Sequence, residues 1–257
     1  MAIKLVISGC CGRMGQAIAR SALTNGAFTL AAVMEVPGHE AIGRDYRAII
    51  GQPVNGAILV IGDARQALKQ GDLLIEFTAP DATIAHAKLA QELQKPMVIG
   101  TTGFSDTQLD ALRAIAKSIP IVFSPNMSVG VNVLFELAQL AAQRLGSSFD
   151  VEIVESHHRH KKDAPSGTAK RLAELLASIR NQLSGSVPVH AIRAGDIVGD
   201  HTVILAGPSE RLELTHRAHS RDVFAQGALR AAQFVVKQKP GLYDMSHVLK
   251  SSDEVMK

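Results

Sequence analysis

The chain has 257 residues, enough for one large domain or two modest ones with a buried core. Apolar residues make up 46% and charged residues 20%, and the net charge is +3, an ordinary balance for a folded protein in water and too little positive charge to signify nucleic-acid or membrane binding by itself. The two cysteines, Cys10 and Cys11, are adjacent, which excludes a disulfide framework and points to a reducing compartment.

In chain order, Ile3–Ser8 reads as a buried strand and Arg13–Asn25 as a helix. Phe28–Glu35 is a second strand and Ala57–Ile61 a weaker third. Asp72–Thr78 and Pro96–Gly100 are strands separated by the helix Asp81–Leu93; the helix Ser105–Ser118 and the strand Ile121–Ser124 follow. Repeated strand–helix–strand order predicts an α/β domain, a doubly wound parallel sheet with helices on both faces. The pattern changes near Pro125. A long apolar helix, Val131–Leu145, leads to the strand Asp150–His157 and to a helix opening at Ser166. Three β-rich runs then come close together, Val187–Arg193, Ile197–Leu205 and Arg211–His216, and predict a mixed or antiparallel sheet in a second, α+β domain. Val223–Lys237 reads as a final helix. No apolar run approaches the roughly 20 residues a membrane helix needs. The short apolar start runs straight into a glycine loop without a cleavage site, so a cytoplasmic protein is expected.

That loop, Gly9-Cys10-Cys11-Gly12-Arg13-Met14-Gly15, has the spacing G-x-x-G-x-x-G between the first strand and the first helix. Glycines there let backbone approach a pyrophosphate, and the following helix offers free N–H groups and its positive dipole end. A tight turn with no ligand would also use glycine. The context favours a dinucleotide, because Glu35 lies 20 residues past Gly15 at the end of the second strand, where an acid binds ribose hydroxyls. Cys10 and Cys11 are then free thiols beside the pyrophosphate, either plain loop-filling residues or, since a helix N-terminus can lower a thiol pKa, a reactive pair. Gly100-Thr101-Thr102-Gly103 and Ser124-Pro125-Asn126-Met127 end further strands, where ligands of open parallel sheets bind and small polar residues suit a nicotinamide ribose and carboxamide.

The most informative stretch runs from Glu155 to Thr168. His157, His158, Arg159, His160, Lys161 and Lys162 are six consecutive potential cations. Crowded cations favour a bound anion, histidine exchanges protons near neutrality, and lysine can donate one. Pro165-Ser166-Gly167-Thr168 then looks like a helix start with Ser166 as N-cap, whose free amides can hold a carboxylate. Together these describe a site for a small dicarboxylate. A solvated basic loop is the plainer alternative. Aromatic residues are only 4% of the chain, which argues against nucleic acid. The histidines lie too close in sequence for an obvious metal geometry, so no resident metal is expected.

At these residues the chain resembles the 4-hydroxy-tetrahydrodipicolinate reductase (dihydrodipicolinate reductase) family. The resemblance is carried by E-S-H-H-R-H-K-K-D-A-P-S-G-T-A at Glu155–Ala169, with G-C-C-G-R-M-G, G-T-T-G-F at Gly100–Phe104, N-M-S-V-G-V-N at Asn126–Asn132, R-A-G-D-I-V-G-D-H at Arg193–His201 and G-L-Y-D-M at Gly241–Met245. It implies a Rossmann-type cofactor domain, residues 1–127 completed by 219–257, and a substrate-binding and tetramerisation domain, 128–218. It also implies NAD(P)H-dependent reduction of a small dicarboxylate in lysine and diaminopimelate biosynthesis by a homotetramer, with no nucleic-acid or membrane partner. By that likeness His157 is the catalytic proton donor or acceptor and Lys161 the proton donor. His158, Ser166, Gly167 and Thr168 contact substrate, and the cofactor contacts are Gly9, Cys10, Cys11, Gly12, Arg13, Met14, Glu35, Gly100, Thr101, Thr102, Ser124, Pro125, Asn126 and Met127. Relatives that use NADPH well often carry arginine directly after the acid; here that position is Val36, so NADH is the expected preference with NADPH also accepted. The competing readings are another two-domain dehydrogenase of an amino or imino acid and a redox-sensing dinucleotide-binding module.

Overall fold

The computed structural model describes residues 1–52, 56–181, 183 and 185–253. The chain divides into two units, Met1–Met127 with Phe224–Lys257, and Ser128–Val223.

The first unit is built on a seven-stranded sheet. Its strands in chain order are β1 (Ile3–Ser8), β2 (Phe28–Met34), β3 (Val60–Ile61), β4 (Leu73–Glu76), β5 (Met97–Ile99), β6 (Pro120–Phe123) and a late strand, β11 (Gly241–Tyr243). They lie in the order β11-β6-β5-β4-β1-β2-β3, and all neighbouring pairs are parallel. The chain moves outward from β1 through β2 to β3 and then restarts at β4 on the other side of β1. Carboxyl ends of adjacent strands therefore diverge between β1 and β4, the switch point where this sheet class binds ligands. All four residues of β4 are buried, as are Leu5–Ser8 of β1. Such continuous runs without alternation are what two covered faces require.

The covering helices are α1 (Arg13–Leu23), α2 (Tyr46–Ile50), α3 (Ala64–Leu68), α4 (Pro80–Glu92), α5 (Asp106–Ile115), α8 (Asp222–Val235) and α9 (Met245–Asp253). Helix α5 starts on a capping box, with Ser105 and Gln108 exchanging side-chain and backbone bonds. Helix α8 comes so close to the segment after β6 that a Cβ on Gly227 would lie 1.7 Å from the Met127 carbonyl oxygen.

The second unit holds a four-stranded sheet, order β10-β9-β7-β8, made of β7 (Asp150–His157), β8 (Val189–Arg193), β9 (Asp200–Ala206) and β10 (Arg211–Arg217). β7 pairs parallel with β8 and antiparallel with β9, so the sheet is mixed, as the clustered β runs predict. β7 alternates buried and half-buried positions, the signature of a sheet covered on one side. The cover is α6 (Val129–Leu145) and α7 (Gly167–Ile179), whose Leu134, Ala138, Leu172 and Leu176 pack with Ile153, Val203 and Leu205. Burying one such aliphatic side chain is worth about 1.5–3 kcal/mol.

Most long elements fall within a few residues of the sequence reading. The third strand is shorter than expected, because Asp45 makes only an isolated bridge to Leu59 before regular pairing starts at Val60. β9 begins at Asp200 rather than Ile197. Helices α2, α3 and α9 and strand β11 are not among the elements read from the sequence; β11 exists because Gly241–Tyr243 extends the sheet at β6. The chain returns to the first unit at Phe224, five residues past the expected 219. No helix among the described residues is long and apolar enough to cross a membrane.

Candidate active site

In the first unit, the glycine loop joins β1 to α1 at the switch point. Gly9 has φ +62°, the left-handed region that glycine enters without strain. Gly15 is required for another reason: a Cβ there would lie 2.3 Å from the Gly9 carbonyl oxygen, so the first turn of α1 can rest on the loop only without a side chain. Gly12 is the N-cap of α1, with no side-chain cap bond and no acidic residue in the first turn. These uncapped amides and the dipole end suit an anion. Arg13 and Met14 begin the helix itself.

Glu35 follows β2, and its carboxylate is already positioned. Oε2 accepts from the Cys11 amide at 3.1 Å and Oε1 from the Val36 amide at 3.1 Å. Both oxygens retain lone pairs for ribose hydroxyls. Cys10 is buried, and its carbonyl accepts from the buried Tyr46 hydroxyl at 2.7 Å. Burial, first, and the neighbouring Cys11 and Glu35 push the Cys10 thiol far up; burial also raises Cys11. The lowered thiol pKa allowed for a helix N-terminus is therefore not found: desolvation and negative neighbours outweigh the helix end.

Of the other expected cofactor positions, Thr101 is buried and turns its hydroxyl inward, bonding the Thr83 hydroxyl at 2.9 Å and accepting from the Thr78 amide at 3.1 Å. Gly100 lies against Phe77, where a Cβ would come within 2.0 Å of the ring. Thr102 and Pro125 are exposed, while Asn126 is half-buried. The Ser124 hydroxyl donates to the Asn126 carbonyl at 2.8 Å, and Met127 is buried. These loops present backbone and few free side-chain groups.

The second unit gathers the basic stretch around a carboxylate the sequence reading did not single out. Glu155 and His157 are i and i+2 on β7 and therefore share a face. Glu155 is wholly buried. Its carboxylate accepts from His157 Nδ1 at 2.5 Å, the Ser166 amide at 3.1 Å, and Arg193 at 2.7 and 3.0 Å. Burial alone would raise this carboxyl, but the bonds from Arg193, His157 and Ser166 outweigh it and the net shift is down. For His157, burial is the leading influence and lowers its pKa; Glu155 opposes this, while the charges of Lys161 and Arg193 add to it. The consistent protonation pattern is an ionised Glu155 and a neutral His157 that donates through Nδ1 and keeps the lone pair on Nε2. Gly199 leaves room at that nitrogen, since a Cβ there would stand 3.0 Å from Nε2.

Lys161 is placed by Asp163, whose carboxylate meets Nζ at 2.9 Å. Arg193 also donates to the Asp163 carbonyl at 2.7 Å, tying β8 to the loop. Ser166 is the N-cap of α7: its hydroxyl accepts from the Ala169 amide at 3.2 Å and pairs with His201 Nε2 at 3.2 Å. Gly167 and Thr168 form the first turn of α7, which has no acidic residue. His158 is half-buried beside His160, their rings 6.3 Å apart. The sequence reading missed Glu155, Arg193 and His201 as site members. All three stand inside the quoted motifs, but a buried polar hub is not visible until β7, β8 and β9 pair.

Family models match nearly the whole length. Residues 3–127 match "Dihydrodipicolinate reductase, N-terminus" and residues 130–249 match "Dihydrodipicolinate reductase, C-terminus". The chain belongs to the dihydrodipicolinate reductase family. A 4-hydroxy-tetrahydrodipicolinate reductase of Syntrophus aciditrophicus (strain SB) is 45% identical over 96% of this chain and 98% of its own. One from Ralstonia pickettii (strain 12J) is 43% identical over 96% and 99%. Among solved structures, a dipicolinate-bound dihydrodipicolinate reductase from Paenisporosarcina sp. TG-14 matches with a TM-score of 0.76 at 27% identity, covering 95% of this chain and 98% of that one. An amine dehydrogenase from Mycobacterium smegmatis shares the fold, with a TM-score of 0.64 at 12% identity and 94% coverage of both chains. Three of the motifs that carry the resemblance, at Gly9–Gly15, Glu155–Ala169 and Arg193–His201, build the β1–α1 loop and the Glu155 hub.

Proposed function

We propose that this protein reduces 4-hydroxy-tetrahydrodipicolinate, through its dehydrated cyclic imine, to tetrahydrodipicolinate in lysine and diaminopimelate biosynthesis. The observation that carries the reading is the buried Glu155–His157–Arg193 hub beside a cationic loop and the Ser166-capped N-terminus of α7, in a chain of this family. A reduced nicotinamide dinucleotide supplies the hydride when bound. The residues fit such a group: the uncapped α1 amides suit its pyrophosphate, and the pre-positioned Glu35 carboxylate suits a ribose.

The chain's own residues manage charge and protons. The α7 amides at Gly167 and Thr168, with His158, hold the substrate carboxylates. Lys161, an ammonium with three donors, delivers the proton as negative charge builds on the ring. His157 takes the acceptor role through Nε2, because Nδ1 is committed to Glu155. Arg193 keeps Glu155 ionised, so the tautomer of His157 is fixed. Glu35 without a following arginine favours NADH over NADPH. The half-exposed sheet face of the second unit and the exposed Val133, Leu137 and Leu140 stripe of α6 suit burial between subunits of a homotetramer working in the cytoplasm.

The test is turnover of the dipicolinate precursor by the purified full chain with NADH and with NADPH. Reduction with either cofactor is expected. Bound dinucleotide without turnover would favour a redox-sensing module, and turnover only of a different amino or imino acid would favour another dehydrogenase.

A further inference from the structure

The reductase reading gives the thiols of Cys10 and Cys11 no chemical role. Cys10 Sγ and Cys11 Sγ stand 3.9 Å apart, and both lie within 4.8 Å of a Glu35 carboxylate oxygen. Two thiolates on one tetrahedral zinc, each at about 2.3 Å from the metal, would be about 3.8 Å apart. The sulfur spacing thus already matches a shared metal. The donors are also held in place. The Cys10 amide donates to the Met34 carbonyl at 3.2 Å, its carbonyl takes the Tyr46 hydroxyl, and the Cys11 amide binds Glu35. The sulfur pair would need little rearrangement on binding.

Charge points the same way, since the Glu35 carboxylate stands beside both thiols and attracts a cation. Cys11 and Glu35 are half-buried and Cys10 lies beneath them, so a cation would arrive from the side of the first two. We propose that Cys10, Cys11 and Glu35 form a binding site for one thiophilic divalent cation, Zn²⁺ or Cd²⁺, and that this cation and the dinucleotide exclude each other. Binding replaces two thiol protons: two S–H bonds break, two metal–sulfur bonds form, two protons leave to solvent, and no electrons are transferred. A water completes the tetrahedron. The exclusion rests on the reading of Glu35 as the ribose acceptor, because the cation and the ribose hydroxyls then compete for the same carboxylate.

Cadmium titration of the dinucleotide-free full chain tests the site, followed by the thiolate-to-cadmium charge-transfer absorbance, which surface histidines do not produce. The expected result is one equivalent bound, with affinity at least tenfold weaker in Cys11→Ser and measurably weaker in Glu35→Gln, both confirmed folded by circular dichroism. Saturating NADH should weaken cadmium binding at least tenfold. Wild-type affinity and absorbance in Cys11→Ser overturn the site, and wild-type affinity in Glu35→Gln overturns the three-ligand set. Unchanged cadmium affinity under saturating NADH overturns the exclusion. NADH titration of metal-free Glu35→Gln then separates the causes: weakened NADH binding leaves the ribose reading standing, and unweakened binding removes it.

Discussion

His157 gives its Nδ1 hydrogen to the buried carboxylate of Glu155, two residues earlier on the same strand, at 2.5 Å. That bond assigns the two ring nitrogens different jobs, and reactivity at Nε2 depends on it. Glu155→Gln keeps the shape and removes the charge. A kcat lower on the order of 10²-fold is expected, the scale of a misplaced acid–base group. Glu155 also raises the pKa of His157 against burial, so the acid limb of the kcat/KM profile should move to lower pH in the variant. A pH–rate profile with an unmoved limb would show that the limb does not belong to His157.

Lys161→Ala should lower kcat by about 10²–10⁴-fold, the usual cost of removing a proton donor. Its side chain meets Asp163 at the surface of the loop, so thermal stability should barely change. Steady-state kinetics beside a melting curve will separate the two effects. A kcat within about twofold of wild type would take the proton-donor role from Lys161.

Acid should destabilise the second unit. His201 is 3% exposed, and burial first, then repulsion from His157 once that ring is protonated, push its pKa down to about 3 from an ordinary 6.5. The unfolded chain therefore binds more protons than the native one between about pH 3 and 6.5, and stability falls as pH falls through that window. The lowered Glu155 adds to the loss at the acid end, since its stabilisation disappears as the carboxylate is protonated. Denaturant unfolding at a series of pH values is expected to show a loss of a few kcal/mol across the window. In His201→Gln the slope should flatten. An unchanged slope would mean that another group dominates acid unfolding.

Cofactor choice should be adjustable at Val36, which is 62% exposed and directly follows the ribose-binding candidate. Val36→Arg supplies a guanidinium for a 2′-phosphate. It should improve kcat/KM for NADPH more than for NADH, and competition kinetics with the two cofactors will measure the change in ratio. A wild-type preference for NADPH of tenfold or more, worth about 1.4 kcal/mol, would contradict the NADH reading.

Gly227→Ala should destabilise the first unit by more than a surface change. The added Cβ would meet the Met127 carbonyl oxygen at 1.7 Å, and backbone cannot yield as a flexible side chain can. Overpacking of this kind costs about 1–3 kcal/mol or more, and a lowered Tm will report it. An unchanged Tm would mean that α8 shifts freely.

The sequence by itself determined the features that depend on near neighbours. Long strands and helices were legible because burial marks contiguous residues, as a largely apolar run in Ile3–Ser8 and an alternation in Asp150–His157, which the structure reproduces residue for residue. The β1–α1 loop and the basic stretch were legible because glycine spacing and crowded charge are local chemistry. Tertiary structure alone decided what joins distant residues. Gly241–Tyr243 is a strand only because β6 offers an edge. Glu155 became the hub only when Arg193, 38 residues later, came alongside through β8 pairing and Ser166 turned its amide inward. The cysteine thiols were pushed up instead of down because burial under Tyr46 and beside Glu35 is a property of the packed loop. A hydrogen bond or a desolvation cost depends on separation in space, and a linear sequence specifies that separation only over the few residues that share one element.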